Sequence, residues 1–368
     1  MLFLILFYSF VITVTIQLIY FIFLFSKFSF SKSHKSASKT IPVSVIICAK
    51  NESKNLSTNL ETILNQDHPN FEVVVVNDAS TDSTSTVLTT FKNKYSHLKI
   101  INIKPTSVYS GNKKNAVSKG IETATNEYLL FTDADCKPAS KNWITEIASQ
   151  FTEDKTIILG YGGYQKIKSS FLNKLIRFET LLSAVQYFSY AKAGIPYMGV
   201  GRNLAYTKSS FSAVNGFSKH TYIRSGDDDL FINEIASKKN TAIHFSKESF
   251  TISEPKKSFQ SWFKQKRRHI TTAHHYKPIH QLLLSLFYLS QILFWLLAII
   301  LVAFSFKWQL VTILIAIRLI TQYIILGNSA EKLCEKDLII FFPILDFMLV
   351  ISQLGVYLRN LISKPTSW

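Results

Sequence analysis

Val73-Val74-Val75-Val76-Asn77-Asp78-Ala79-Ser80-Thr81-Asp82 runs four β-branched residues straight into carboxylates, an amide and hydroxyls. A continuous Val run is the mark of a strand buried on both faces, and the abrupt polar turn marks its carboxyl end. The same pattern recurs on both sides of it. Val43 to Cys48, Phe71 to Val76, Leu98 to Ile103, Tyr128 to Phe131 and Thr156 to Leu159 are apolar runs separated by polar helical stretches. Such alternation predicts a parallel α/β sheet, whose ligands bind beyond the carboxyl ends of the strands. Asp and Ser after a strand serve equally well as caps of the next helix, so the stretch alone leaves both roles open.

Three further polar clusters lie downstream. Leu129-Leu130-Phe131-Thr132-Asp133-Ala134-Asp135-Cys136 places two carboxylates one residue apart at a strand end. Like charges so close repel and shift each other's pKa, and a hard divalent ion, Mg or Mn, bridging them to a diphosphate removes that cost. The bland alternative is a solvated loop with a helix cap. Ser225-Gly226-Asp227-Asp228-Asp229-Leu230 opens the helical pattern Leu230 to Ala236. Acids in a first turn suit the helix dipole, but three exceed what a cap needs, and one fits a general base that takes a proton from an attacking hydroxyl. Gln265-Lys266-Arg267-Arg268-His269 offers basic donors suited to phosphate oxygens, or equally a positively charged membrane flank.

The ends of the chain are of another kind. Of the 368 residues 47% are hydrophobic, and they pile up at both termini. Leu2 to Phe25 has no charge and is long enough to cross a hydrocarbon core of roughly 30 Å. A cleaved signal peptide is the alternative, but a basic start and a small-residue cleavage site are both missing. Lys27, Lys32, Lys35 and Lys39 follow in a Ser-rich linker, so the next domain is expected in the cytosol. Phe171 to Tyr190 reads as a long amphipathic helix, and Phe259 to Thr272, with Trp262 and Phe263 beside Lys264, Lys266, Arg267 and Arg268, as an interfacial one. Leu282 to Phe304 is a membrane span. Leu310 to Leu326 and Leu338 to Leu361 are less secure, because Arg318, Pro343 and Asp346 interrupt them, and re-entrant or interfacial helices remain open.

A formal net charge of +17 suits anionic lipid headgroups and phosphorylated substrates. Nucleic acid is not expected as a partner, since neither a zinc-finger spacing nor an aromatic RNA-binding signature is present. The three cysteines, Cys48, Cys136 and Cys334, are far apart and odd in number with no CxxC, so neither a disulfide framework nor a zinc site is indicated.

Taken in order, these clusters resemble the family 2 glycosyltransferases, the group that includes hyaluronan, chitin and cellulose synthases and ceramide glucosyltransferases. The resemblance covers roughly Ile41 to Tyr276 and lies in the combination of motifs. It implies the GT-A nucleotide-sugar-binding fold, a Rossmann-like α/β domain with a mixed sheet, here with transmembrane helices at both ends. Asn51, Glu52 and Asp78 match the nucleoside-binding positions. The turn Gly111-Asn112-Lys113-Lys114 matches the basic loop that helps hold the donor. Asp133 and Asp135 match the metal-binding acidic pair, with Asp135 the more direct ligand of Mn or Mg. Asp227 and Asp228 match the acidic motif whose last carboxylate is the catalytic base. Gly201, Arg202 and Asn203, with the later Gly216 and Phe217, resemble the segment lining the acceptor pocket. Gln265 and Arg268 match the diphosphate-binding end motif, in which His269 replaces the usual Trp.

That replacement counts against polymer synthesis, since in processive synthases the Trp meets the growing chain. The implied organisation is a transmembrane anchor over 1–25, a basic linker over 26–40, a cytosolic catalytic domain over 41–276 and a membrane region over 277–368 with two or three helices. The implied chemistry is inverting transfer of a sugar from a nucleotide-sugar donor, first of all a UDP-sugar, to a lipid, lipid-linked or glycan acceptor. A bacterial cytoplasmic membrane with its anionic lipids is the expected setting. Asp78, Asp135 and Asp228 are expected to face one pocket.

Overall fold

The computed structural model describes residues 1–33, 39–104, 113–223 and 225–363. Lys35, Gly111 and Asn112, singled out above, lie outside the described residues. The chain divides into two units, one made of Ser33–Gln165 and Gly194–Pro255, the other of Met1–Lys32, Lys166–Ala193 and Lys256–Trp368.

In the first unit the Val/Ile runs become strands. Among the described residues these are β1 (Val43–Ala49), β2 (Phe71–Asp78), β3 (Leu98–Ile103), β4 (Tyr128–Asp133), β5 (Cys136–Pro138), β6 (Ile157–Leu159), β7 (Gly162–Tyr164), β8 (Leu204–Thr207), β9 (Thr241–Ile243) and β10 (Thr251–Ser253). The larger sheet has the order β3-β2-β1-β4-β8-β6-β9, and β5-β10-β7 form a smaller one. β1 to β4 pair in parallel, whereas β8 runs antiparallel to both β4 and β6. The sheet is therefore mixed, as the family resemblance implies, and the purely parallel expectation drawn from the apolar runs is corrected at β8. Four residues of β8 are too short a stretch to announce a direction.

Register sets the polar ends side by side. Ala49 pairs with Asn77 and Cys48 with Asp133, so Asp78 and Asp133 end the strands flanking β1. Helices cover the sheet through their apolar faces: Leu56, Leu60, Ile63 and Leu64 of helix Ser53–Leu64 are buried in one core with Val45, Val73 and Leu130. Helix Lys113–Thr123 lies close against β1 and β2, where a Cβ on Gly120 would come 2.7 Å from Ile46 Cγ2. That close approach sets how near the helix, with Lys113 and Lys114 on it, lies to the sheet.

The second unit is helical. Among the described residues, four stretches are long and apolar enough to cross a membrane: Leu2–Ser29, Pro278–Ala303, Trp308–Lys332 and Lys336–Ile362. The first includes a π-helical segment, Tyr20–Phe25. Pro343 does not break the last, because it sits in the first turn of helix Phe342–Ile362, where its missing N–H has no helical partner to lose. Arg318 and Asp346, which cast doubt on two spans in the sequence, neutralise each other: Arg318 Nη2 donates to Asp346 Oδ2 at 2.9 Å, and both are fully buried. The amphipathic stretches form helices Phe171–Lys192 and Phe259–His269, tied by Glu179, which accepts from Trp262 Nε1 at 3.2 Å and pairs with Lys266 at 2.8 Å.

Candidate active site

Beyond the carboxyl ends of β1 and β4 the first unit has a pocket whose wall includes Cys48, Lys113, Asp133, Gly201, Asp227 and Asp228. Residues far apart in the chain, Cys48 and Asp228 among them, meet there. Lys113 Nζ lies 3.0 Å from Asp133 Oδ1 and 3.0 Å from Asp227 Oδ2. Burial by itself would lower the pKa of Lys113, but Asp133, Asp227 and Asp228 overcome it and hold the ammonium well above its ordinary value. It is a stably charged cation in an acidic cup.

Asp228 caps helix Asp229–Ile235 and faces the same cup. Its Oδ1 accepts from Asp229 N at 2.8 Å and its Oδ2 from Gly201 N at 2.7 Å. A Cβ on Gly201 would stand only 3.2 Å from that Oδ2, so any side chain there would press on the carboxylate. Burial, then the neighbouring Asp227 and Asp229, push the carboxyl up to about 7, against the pull of Lys113 and the Gly201 N–H. A carboxyl poised there can take a proton near neutral pH, which caps alone do not require. Each oxygen keeps a second lone pair for that purpose.

Asp133 and Asp135 project near each other, and their carboxylate oxygens and the Cys136 sulfur all lie within 4.8 Å. The donor chemistry fits a hard divalent cation at the two carboxylates. Cys136 does not fit it: the thiol is buried, burial holds it protonated, and it is hydrogen-bonded with Ser253 Oγ at 2.9 Å.

Asp78 is buried at the end of β2. Neither it nor Asp135 belongs to the pocket wall, so the expected convergence of Asp78, Asp135 and Asp228 is not seen: of those three Asp228 alone lines the pocket, together with Asp133, Asp227 and Lys113, and Asp135 lies beside Asp133. Asn51, at φ 56°, accepts from Thr81 N at 2.8 Å and donates its own N–H to Ser80 Oγ at 2.9 Å. Glu52 N donates to Thr84 Oγ1 at 2.9 Å. The two polar turns after β1 and β2 are thus stitched together. Asp82 completes the seam by accepting from Thr84 Oγ1 at 2.5 Å, and this bond first of all lowers its carboxyl to about 2.

Two residues of the expected site turn out to hold it from behind. Lys114 is buried, with Nζ donating to the carbonyls of His220 at 2.6 Å and Ile223 at 3.1 Å; it ties down the turn that leads to Asp227 rather than reaching into the cup. Burial lowers its pKa to about 8 against the raising effect of Asp227, Asp229 and Asp228. Asn203 is fully buried and its amide is committed to Trp143 Nε1 at 3.1 Å, Tyr161 O at 2.9 Å and Ser249 O at 2.7 Å. It fixes the Gly201–Arg202 turn and cannot touch an acceptor. Arg202 packs its guanidinium 4.3 Å from the Tyr164 ring centroid and donates to Gly163 O at 3.1 Å. Gly216, at φ +60°, and buried Phe217 pack against Phe211. Gln265 and Arg268, both partly exposed, and exposed His269 lie on helix Phe259–His269 of the other unit. Tyr206 and Cys48 line the pocket without having been picked out beforehand. A buried aromatic inside a strand gives no sign of which cavity it faces.

The sequence profile of the family described as Glycosyl transferase family 2 matches residues 44–213. An uncharacterized glycosyltransferase of Haemophilus influenzae is 32% identical over 125 residues, 34% of this chain and 37% of that protein. The amylovoran biosynthesis glycosyltransferase AmsB of Erwinia amylovora is 35% identical over 97 residues, 26% of this chain and 32% of that protein. The chain thus matches about a third of the length of these curated relatives. Among solved structures, the mannosyltransferase PcManGT from Pyrobaculum calidifontis, in complex with GDP-Man and Mn2+, has a TM-score of 0.60 at 18% identity, over 91% of this chain and 99% of that one. At that identity the likeness speaks for the fold.

Proposed function

Because this chain is a family 2 glycosyltransferase with a GT-A fold, we propose that it transfers a single sugar, with inversion, from a nucleotide-sugar donor to a lipid or lipid-linked acceptor at a membrane. The observation behind this reading is Asp228: a carboxyl raised to about 7, held by two backbone N–H groups in a pocket shared with Asp133, Asp227 and Lys113.

In the proposed step the acceptor hydroxyl attacks the anomeric carbon from the face opposite the diphosphate. Asp228 takes the hydroxyl proton as the new C–O bond forms, and the bond from C1 to the diphosphate oxygen breaks with its electron pair leaving on the nucleoside diphosphate. One backside displacement inverts the anomeric carbon. Gly201 N–H and Asp229 N–H hold the base in place throughout. Asn51, Glu52 and Asp78 are assigned to the nucleoside and Lys113 to the diphosphate. Asp133 and Asp135 would hold Mn or Mg, which supplies positive charge to the leaving diphosphate. A UDP-sugar is the first donor to test. GDP-Man, bound by the mannosyltransferase of like fold, is the second.

Single transfer rather than polymerisation is favoured by His269, exposed on its helix where processive relatives of this family carry Trp. We assign the catalytic unit to the cytosolic side of a bacterial cytoplasmic membrane, on the strength of the basic residues after the first span.

Purified full-length protein in detergent with Mn, offered UDP- and GDP-sugars and a membrane-lipid extract, is expected to release nucleotide and to form a product carrying one sugar. Asp228→Asn is expected to retain donor binding and to lose turnover by about 100-fold or more. Full turnover in that variant removes the base assignment, and a ladder of long products removes single transfer.

A further inference from the structure

The acid cluster already contains a cation. Lys113 bridges Asp133, at the end of β4, to Asp227, at the head of helix Asp229–Ile235, at 3.0 Å on each side. This is no surface pair between neighbours on one helix, for it joins segments that the chain brings together only on folding. Its side chain is 22% exposed, so the contact is shielded but not sealed.

Lys113 lies on helix Lys113–Thr123. What holds the ammonium is the pair of carboxylates. A lysine is also a point charge on a flexible stem, able to be re-aimed over several ångströms, unlike the planar fork of Arg. Asp133 is at the same time one of the two carboxylates that suit a hard divalent ion. An ion arriving at Asp133 therefore meets a positive charge already seated on it.

We propose that Lys113 is an internal counter-cation that competes with a divalent ion for Asp133 and is drawn off by a nucleotide's diphosphate, so that metal and nucleotide bind cooperatively. The inference rests on the nucleotide-sugar reading of this pocket and deepens it. In the empty pocket the lysine balances the acids and weakens the site for metal. When a diphosphate arrives it offers the ammonium a better partner, and the vacated carboxylate becomes available to the ion. The device keeps a strongly acidic cup from being filled by metal alone, and it makes each ligand report on the other, as reciprocal linkage requires.

The test is a binding cycle on full-length protein in detergent. Mn affinity is measured by the electron paramagnetic resonance of free Mn, with and without UDP, and again with GDP, with Mn–nucleotide association in solution measured separately. Lys113→Met and Lys113→Gln are expected to bind Mn alone about fivefold more tightly than wild type or better, while Lys113→Arg stays near wild type; the Mn–nucleotide coupling should fall by a like factor in the two neutral variants, given that such couplings commonly span about 5–150-fold. Two neutral variants are used so that one may fail to fold. Mn affinity unchanged or weaker in both neutral variants overturns the competition. Wild type that binds neither UDP nor GDP in the presence of Mn instead sinks the nucleotide reading, and the Mn-only comparison still decides whether lysine and metal compete.

Discussion

Asp228 carries the most specific expectation at the scale of single residues. Its carboxyl sits at about 7 because of burial and the charges of Asp227 and Asp229. A base must be unprotonated, so the logarithm of kcat/KM is expected to rise with pH and level off above about 7. Asp229→Asn removes one of the like charges, and the inflection should move to lower pH; an inflection that stays put would assign it to another group. The same shift has a stability consequence of opposite sense. A carboxyl raised from 3.8 to about 7 on folding contributes stability that is complete below 3.8 and is lost as pH rises through about 7. Lys114 supports a second expectation. Lys114→Met should preserve packing but free the His220–Ile223 turn, lowering kcat more than the donor KM and increasing hydrogen exchange over residues 217–227; equal loss in both constants would mark a purely structural role. The sequence could not divide labour between Lys113 and Lys114. Adjacent helical positions point about 100° apart, so only one of the two can face the acids, and which one depends on where the helix rests on the sheet. Asp133, Asp227 and Asp228 stood out because a pair and a run of three acids exceed what a helix cap needs, and all three lie on one pocket wall. The role of Asn203 was not legible, since a buried amide and a substrate-binding amide look alike until their partners are known.

Among the elements, β1 to β4 and β6 were legible from their apolar runs, while β5, β7, β9 and β10, three residues each without such a run, leave no periodic trace. The helix that presents the two lysines is positioned by something equally silent in the sequence, the missing side chain of Gly120. Gly120→Ala makes that positioning testable, because two effects oppose each other. Alanine improves intrinsic helix propensity by about 1 kcal/mol. A Cβ placed 2.7 Å from Ile46 Cγ2 and 3.3 Å from Val76 Cγ2 meets branched side chains of buried strands that have no free rotamer to retreat into. Overpacking of this kind costs roughly 1–3 kcal/mol, so the net effect should be destabilising. A lower thermal midpoint is expected, together with weaker nucleotide binding, because a helix pushed off the sheet carries Lys113 with it. An unchanged midpoint would show that the helix is less tightly seated on β1 and β2 than the distances imply.

At the scale of the whole molecule, the charges that made two membrane spans doubtful are what join all four. Arg318, in the third span, donates to Asp346 of the fourth at 2.9 Å, to Gln17 of the first at 2.6 Å and to Gln322 one turn away at 2.6 Å. Asp346 also accepts from Gln291 at 3.3 Å and Trp295 at 3.0 Å, both in the second span. Hydropathy counts charges one at a time and cannot tell a lone intramembrane Arg from one whose counter-ion lies 28 residues on. Helices in lipid gain nothing from burying apolar faces against each other, so a shared polar cluster is a strong candidate for what selects one arrangement. Arg318→Met leaves Asp346 buried and uncompensated, and by the usual cost of breaking a buried pair should destabilise the protein by about 3–5 kcal/mol. Asp346→Leu should do the same from the other side. The double variant removes both charges and should recover most of the loss, since an apolar replacement of a buried pair is often close to neutral. Thermal unfolding in detergent, scored as a double-mutant cycle, measures that recovery. Losses that simply add would mean that the pair contributes no coupling and that the spans are held by packing alone.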